Sequence, residues 1–380
     1  MIIKNLHIFQ EDGTFREGEL YTSGALLSET PEDKQVLDGR GAYAIPGLTD
    51  IHFHGCVGYD FCDGTTEAFE AMAAYELQNG VTQICPATMT LGEDTLTDIA
   101  KNARIFAAKQ SIDASAGGKP QALLVGINME GPFVSYAKRG AQNPLYLHKP
   151  DIPMYHRLQE AAGGLFKLVA IAPEEEGAME LIHTLKDQVV LSLAHTTADY
   201  DTAMKAFQQG ASHVTHLYNA MPPFTHRAPG VVGAACDTPD CQVELICDGV
   251  HIHPSMVRST FRMFGDDRVI LISDSMMATG LSDGDYSLGG QAVKVKGPLA
   301  TLADGTIAGS ATNLMDCMRR AVRDMGIPLG TAVKCAAVNS AKSIGIYDRF
   351  GSLTPGKAAN LVLLDEDLEI QQIIFQGQIL

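Results

Sequence analysis

The chain has 380 residues, and its 45 Asp and Glu against 28 Lys and Arg give a formal net charge of −17. An acidic surface repels a phosphate backbone, so this charge argues against nucleic acid as a partner and for a soluble protein. The 46% of hydrophobic residues is enough to fill one large barrel or two ordinary domains. Apolar runs stay shorter than the ~18 residues that span a bilayer, so no membrane segment is expected.

The cysteines and the first residues both favour a cytoplasmic location. None of the eight cysteines belongs to a C-x-x-C pair, and reduced, mostly buried thiols are their expected state. The opening MIIKNLHIFQEDGTF lacks the basic segment and the apolar core of a signal peptide. We therefore expect a cytoplasmic protein.

Both ends of the chain have the character of short strands and turns. The β-leaning runs MIIKNLHIF, GELYTSGALLSE and QVLDGRGAYAIP are broken by EDG, SG and DGRG, and the last 30 or so residues are similar. Two such ends around a different middle predict one small β domain, of the sandwich type, built from residues 1–48 and 349–380.

The middle, residues 49–348, alternates short apolar runs with helical stretches. In chain order the runs are AIPGLTDIH, VTQICPATM, LLVGINMEG, KLVAIAPE, VVLSLAHT, SHVTHLYNA, QVELICDGV and RVILISDSM. They are apolar almost throughout, as strands buried on both faces are. Eight such units predict an α/β fold, a (β/α)8 TIM-type barrel, with a hairpin-like segment at 288–310 interrupting its later part.

Polar side chains of the kinds that bind metals and substrates follow the predicted strands at one end. In chain order they are His52, His54, Glu130, His195, His216, Asp248, His251 and Asp274. The carboxyl ends of barrel strands converge on the active site, so these residues are predicted to meet at one mouth.

Five of these residues are predicted to bind metal. His52 and His54, at i and i+2 on a strand, point to the same side and can share an ion. Taken singly, such a pair is more often packed or exposed, and a lone Glu130 is more often solvated or salt-bridged. Together with His195 and His216 they form a set that suits zinc or iron better than magnesium or calcium. Either one ion or two adjacent ions, bridged by Glu130, would fit.

Asp274, in LISDSMMATG, is predicted to be the general base and acid. A bound metal lowers the pKa of water towards about 7, and a neighbouring carboxylate can then take its proton and pass it to a leaving group. The alternative is a helix N-cap. Separately, Arg227 in LYNAMPPFTHRAPG and His251 in CDGVHIHP favour capture of a small anion.

Eight motifs in this order resemble the N-acetylglucosamine-6-phosphate deacetylases of the amidohydrolase superfamily. They are PGLTDIHFHG, MEGPF, KRGAQNP, LAHT, HVTHLYNAMPP, CDGVHIHP, ISDSMMATG and GSLTPGKAANLVLLD, and they cover essentially the whole chain. The resemblance implies a homodimer that hydrolyses N-acetylglucosamine 6-phosphate to glucosamine 6-phosphate and acetate in amino-sugar catabolism. Water activated by the metal would attack the acetamide, with Asp274 moving the proton.

The same resemblance implies a role for each matching residue. Glu130, His195 and His216 match the metal ligands common to the family, and His52 and His54 match members that hold a second ion. The implied substrate contacts are Ala141, Gln142, Asn219, Ala220, Asp248, Gly249, Val250, His251, Ile307, Ala308 and Gly309. Arg227 matches an arginine that reaches the phosphate across the dimer interface. Many members have histidine where this chain has Gln142, so a polarising imidazole is not expected there, although an amide could still bond the acetyl group or sugar.

Three alternatives stay open. Dihydroorotases and hydantoinases often bridge two metals with a carboxylated lysine, whereas here Glu130 occupies that place and no lysine ends a predicted strand. A deacetylase of another amino-sugar phosphate is poorly separated by the sequence. A non-catalytic barrel would have no need of five ligands, an acid/base and an anion-binding loop together.

Overall fold

The computed structural model describes residues 1–31, 34–116 and 118–380. Its strands are β1 (Ile2–Phe9), β2 (Phe15–Ser23), β3 (Leu26–Ser28), β4 (Val36–Pro46), β5 (Leu48–Asp50), β6 (Gly55–Cys56), β7 (Tyr59–Asp60), β8 (Val81–Ile84), β9 (Leu123–Leu124), β10 (Ile127–Met129), β11 (Phe166–Ile171), β12 (Val190–Leu193), β13 (His213–Val214), β14 (Gln242–Ile246), β15 (Val269–Ile272), β16 (Gly284–Leu288), β17 (Gln291–Lys296), β18 (Leu299–Thr301), β19 (Leu361–Leu364), β20 (Ile370–Phe375) and β21 (Gln378–Ile379).

The α-helices alternate with the middle strands and then follow them. They are α1 (Thr66–Gln78), α2 (Glu93–Ala116), α3 (Ile152–Ala161), α4 (Ala178–Leu185), α5 (Tyr200–Gln209), α6 (Gly230–Cys236), α7 (Pro254–Phe264), α8 (Leu314–Arg323), α9 (Leu329–Val333) and α10 (Asn339–Ser343). Across the described ranges, no helix has both the length and the apolar character that a bilayer crossing requires.

The two ends of the chain share one β unit, as the sequence predicts. Hydrogen bonds join its strands in the order β21-β20-β19-β4-β1-β2-β3, so they form one sheet rather than the two separate sheets of a sandwich. The long strand β4 explains this continuity, because it pairs in parallel with β1 and antiparallel with β19. The division into residues 1–48 with 349–380 and residues 49–348 stays a prediction.

The predicted barrel has eight parallel positions, because β9 and β10 follow one another within the third of them. β5, β8 and β9 pair in parallel, and β10 to β15 form a second parallel run. A parallel bridge between Ala87 and Asn128 links the two runs. The ring closes where the Asp274 N–H donates to the His52 carbonyl at 2.9 Å. Each apolar run of the sequence contains one of these positions, so the (β/α)8 architecture is confirmed.

A compact apolar cluster fills the inside of the barrel. Its buried members are Ile51, Cys85, Leu168, Ile246, Ile270, Ile272 and Ile344. Most of them come from, or directly follow, β5, β8, β11, β14 and β15, and several of these strands are not neighbours in the ring. Such side chains can meet only across the interior, so the barrel is a packed core and not a pore. This core lies beneath the polar residues at the strand ends.

Side-chain caps fix where the outer helices begin. Thr65 accepts from the Ala68 N–H before α1, and Asp199 accepts from the Thr202 N–H before α5. A cap satisfies a backbone donor that has no partner within the helix and typically stabilises it by about 1 kcal/mol. The caps therefore set the lengths of the loops above the barrel.

The predicted hairpin after the eighth barrel strand is a small antiparallel sheet. β16, β17 and β18 pair in that order, with Gly284 opposite Val295 and Lys296 opposite Leu299. The segment thus begins slightly before residue 288. A contact from the Gln291 side-chain amide to the Ala141 carbonyl ties this sheet to the loop after the third barrel position.

Candidate metal centre

A cavity opens at the carboxyl ends of the barrel strands. It measures about 1060 Å³ including the solvent at its mouth, and its walls include the predicted ligands His54, Glu130, His195 and His216 together with Asp274. The convergence predicted from the strand ends is thus observed, since residues far apart in the sequence share one mouth.

Glu130 lies at the centre of the histidines. Its Oε1 is 3.0 Å from His195 Nε2, 3.1 Å from His216 Nε2 and 3.4 Å from His52 Nε2. Its Oε2 is 3.1 Å from His54 Nε2. All five residues are buried. One carboxylate therefore faces four imidazoles, three of them through Oε1 and the fourth through Oε2.

These five residues form two groups that can each hold a metal ion. The ligand atoms of His52, His54 and Glu130 lie within 4.8 Å of one another, and so do those of Glu130, His195 and His216. Nitrogen and carboxylate ligands of this kind suit a divalent ion such as zinc or iron. His52 Nε2 is buried and has no hydrogen-bond partner among the described residues, which fits a coordinating atom.

The carboxylates and the imidazoles of the cluster each favour the charged form of the other. Burial raises the pKa of Glu130, but the imidazole charges, that of His52 first, bring it well below its usual range. Burial lowers the pKa of His54, yet Asp274 and Glu130 raise it to about 10. A cation that binds here must displace protons from the imidazoles, so metal affinity falls as the pH falls.

Asp274 lies beside the histidines and faces the cavity. Its Oδ1 is 3.5 Å from His54 Nε2 and 3.8 Å from His52 Nε2. Burial raises its pKa, but the hydrogen bond with His54 and the neighbouring imidazole charges leave it below its usual value. Its backbone takes part in the ring closure and accepts from the Ser310 N–H at 2.7 Å. The lowered pKa favours the ionised carboxylate, which is held at the cavity wall.

Three of these residues adopt left-handed backbone conformations. The φ angles are 44° at His195, 29° at His216 and 49° at Asp274. Such conformations cost roughly 1–3 kcal/mol each for residues other than glycine, and they cluster at functional sites. The turns redirect each chain as its strand ends, which brings the side chain over the barrel mouth.

Glu244 is a buried carboxylate of the centre that the sequence analysis missed. Its Oε2 accepts from His52 Nδ1 at 2.8 Å and from the His216 N–H at 3.0 Å. The first bond fixes the tautomer of His52 and leaves Nε2 to face Glu130. A charged residue within the buried strand β14, QVELI, is the signal that could have revealed it.

We expect Glu244→Gln to weaken metal binding about 10- to 100-fold, because His52 loses the charge that orients it. The measurement is competition of the purified protein with a chelator of known zinc affinity. Glu174→Gln is the control: Glu174 also follows a barrel strand but bonds Thr196 and Thr197 instead of a histidine. Wild-type affinity in Glu244→Gln would show that Glu244 does not orient a ligand.

Seven of the predicted substrate contacts line the cavity, and the other four do not. Ala141, Gln142, Asn219, Ala220, His251, Ile307 and Gly309 line the cavity, and Lys138, Met89, Leu288 and Thr306 join them without having been predicted. Asp248, Gly249, Val250 and Ala308 are not among the described residues that line it. His195 is held from behind, since its Nδ1 lies 2.9 Å from the Lys138 carbonyl.

Asp248 positions His251, which lines the cavity. Its Oδ2 lies 2.7 Å from His251 Nδ1, and its Oδ1 accepts from the N–H groups of Val250 and His251 at 2.9 Å. Burial lowers the pKa of His251, but Asp248 outweighs this effect and raises it. His251 is thereby fixed where it lines the cavity.

Arg227 is not among the described residues that line the cavity. It belongs to the exposed stretch 223–228, where Phe224 is 43% exposed. Within the described residues of a single chain, the structure therefore does not bring Arg227 to the predicted phosphate site.

A (β/α)8 barrel with buried histidines around a shared carboxylate defines a metal-dependent hydrolase class, and comparisons with known proteins agree. The model of the amidohydrolase family matches residues 43–380. An N-acetylglucosamine-6-phosphate deacetylase of Bacillus subtilis (strain 168) is 37% identical over 387 residues, covering 100% of this chain and 96% of that protein. An N-acetylgalactosamine-6-phosphate deacetylase of Escherichia coli O157:H7 is 31% identical over 380 residues, covering 100% and 98%.

A solved structure is similar along the whole length. It is an aspartate-to-alanine mutant of N-acetyl-D-glucosamine-6-phosphate deacetylase from Mycobacterium smegmatis, in complex with N-acetyl-D-glucosamine-6-phosphate. It has a TM-score of 0.89 at 31% identity and covers 100% of this chain and 98% of its own. The chain therefore belongs to the amidohydrolase family and, within it, to the N-acetylglucosamine-6-phosphate deacetylases, which confirms the resemblance of its motifs.

Proposed function

We propose that the protein hydrolyses N-acetylglucosamine 6-phosphate to glucosamine 6-phosphate and acetate. The observation that carries this proposal is Glu130, which joins two groups of buried histidines in a cavity that Asp274 also faces. The similar proteins named above support the choice of substrate. A cyclic amide is disfavoured, because a glutamate stands where many such hydrolases use a modified lysine.

The centre is proposed to hold one or two ions of zinc or iron. His195, His216 and Glu130 would hold the first, and His52 and His54 would share Glu130 for the second. A divalent ion at such a site polarises an amide carbonyl and allows water to lose a proton near neutral pH. The four imidazoles and one carboxylate fit this chemistry, since soft or purely oxygen-based sites would need different side chains.

Asp274 is proposed to carry the proton. Its carboxylate is ionised in the resting site, so it can accept the proton of the attacking water. It then delivers this proton to the amine nitrogen as the C–N bond breaks. The same group thus serves first as base and then as acid, and the leaving amine departs in its neutral form.

The rest of the cavity is proposed to bind the sugar and its phosphate. Asn219, Ala220 and the hairpin residues Ile307 and Gly309 line the wall around the sugar. His251, held by Asp248, would meet the phosphate with Nε2. Binding energy from the phosphate, which does not react, can be used to orient the amide for attack.

The first experiment is acetate release by metal-replete protein. We expect much higher kcat/KM for N-acetylglucosamine 6-phosphate than for N-acetylglucosamine, because only the former carries the anion that His251 and Arg227 would bind. N-acetylgalactosamine 6-phosphate belongs in the same assay, because one relative is a deacetylase of that epimer. Equal rates on N-acetylglucosamine 6-phosphate and N-acetylglucosamine would contradict the proposed phosphate site. Absence of acetate release from every substrate would contradict the proposed deacetylase activity.

Arg227 is proposed to complete the site of the neighbouring subunit in a homodimer, since its own chain leaves it exposed. We expect Arg227→Ala to raise KM for the phosphorylated substrate and to leave the rate on N-acetylglucosamine unchanged. Mixing inactive Asp274→Asn subunits with Arg227→Ala subunits then tests the interface. A mixed dimer has one site with both groups intact, so low-substrate activity should rise above that of either parent. No rise after verified subunit exchange would place Arg227 in its own chain's site or outside the reaction.

A further inference from the structure

The side-chain amide of Gln142 is engaged inside the protein, although the residue lies at the cavity wall. Its Nε2 donates to Glu130 Oε2 at 2.8 Å and also lies 3.8 Å from Met89 Sδ. Its Oε1 accepts from the Thr90 N–H at 2.7 Å. Gln142 is 2% exposed. Both hydrogens of its amide thus face protein atoms, and neither is directed to an acetyl group or a sugar.

The orientation of this amide follows from its partners. The Thr90 N–H can only donate, so it requires the oxygen of Gln142. The ionised Glu130 carboxylate can only accept, so it requires the nitrogen. A flipped amide would oppose both partners at once, and the hydrogen-bond network therefore settles which atom is which.

Gln142 contacts only one of the two oxygens of Glu130. Oε1 faces His195, His216 and His52, whereas Oε2 faces His54 and receives the hydrogen bond from Gln142. A hydrogen bond to an ionised acceptor is about twice as strong as one between neutral groups. The terminal torsion of a glutamate side chain is otherwise broad, so this bond, together with the contact to His54, restricts where Oε2 lies.

We propose that Gln142 is a positioning residue that holds Oε2 of Glu130 towards His54 and thereby maintains the affinity of the His52–His54 group for its ion. The inference rests on the metal-dependent function proposed above. It replaces the role expected from the motifs, a direct contact with substrate. The loop is suited to this task, because its backbone is tied to the Gln291 side chain through the Ala141 carbonyl.

The test is a count of zinc ions per chain, with Zn²⁺ alone as the probe. Gln142→Met keeps the length of the side chain and removes the N–H donor. We expect wild type to bind two ions, and Gln142→Met to bind one with wild-type affinity and a second about 10- to 100-fold more weakly. Elemental analysis after dialysis against graded chelator gives both numbers without any use of activity.

Asn143→Ala is the matched control. Asn143 lies in the same loop, but its side chain accepts from the Leu145 N–H and does not bond Glu130, so this variant should keep both ions. Thermal unfolding of the metal-free proteins shows whether Gln142→Met is folded, and Gln142→Leu replaces it if it is not.

Three results would overturn the inference. They are a wild type with a single zinc ion, a Gln142→Met variant that keeps both ions at wild-type affinity, and a variant that loses both ions equally. A raised KM with unchanged metal binding would return Gln142 to the role of a substrate ligand. Absence of acetate release by the wild type would instead remove the proposed substrate, while the metal counts would still decide the role of Gln142.

Discussion

Asp274→Asn is expected to lower kcat by roughly 10²- to 10⁴-fold, the range that general acid–base catalysis supplies. Asparagine has nearly the same shape but cannot accept the proton of water or return it to the amine. The backbone bonds of residue 274 to His52 and Ser310 do not depend on the carboxylate, so the barrel should close as before. Steady-state acetate release and metal content, measured on the same preparation, give the two numbers required.

Asp60→Asn is the control for this substitution. Asp60 is another buried carboxylate near His54, and its pKa is raised to about 6, mainly by burial. It accepts from the Cys62 N–H at 2.7 Å and is not among the residues that line the cavity. Its amide variant should therefore keep most of the activity. If Asp274→Asn turns over at the wild-type rate, another group moves the proton.

Glu130→Ala is expected to remove metal from both groups and to abolish acetate release. Glu130 is the one residue that both groups contain. Its loss removes an oxygen ligand from each ion and also the negative charge that offsets the buried imidazoles. Elemental analysis after gel filtration measures the metal content of the variant, which should be close to zero ions per chain.

His54→Asn gives the matched contrast. His54 belongs to only one of the groups, so this variant should keep the ion held by Glu130, His195 and His216. Metal retained by Glu130→Ala at the wild-type level would mean that the histidines bind without the shared carboxylate. Loss of both ions in His54→Asn would mean that the two groups cannot be filled separately.

Much of this arrangement could be predicted because it depends on local patterns. β15, with the sequence VILI, is buried at every residue, and the barrel strands in general are short apolar runs. Where a strand ends can be estimated from such a run, and in a barrel all carboxyl ends share one mouth. His52, Glu130 and Asp274 could therefore be brought together from sequence alone.

The features that were not predicted depend on backbone turns and side-chain orientations, which a pattern of residue types along the sequence does not specify. The run SHVTHLYNA suggests a long strand, yet β13 ends at Val214, because the chain turns through a left-handed residue at His216. Glu244 was missed because an acid inside a strand does not reveal which face it occupies. The bond from the Gln142 amide to Glu130 was not predicted, because a sequence position does not show which way a side-chain amide faces. The role predicted for Arg227 involves a second subunit, so a single chain does not test it.

The first and last barrel strands close the ring, so the parts of the site are synthesised in a fixed order. All five metal-group residues precede residue 217, so a ribosome has already delivered them before β15 is synthesised. Asp274 and the hydrogen bonds that close the ring come with that last strand. The candidate metal ligands and the closing strand therefore belong to successive parts of the sequence, and only a chain that includes β15 can complete the ring that positions these ligands.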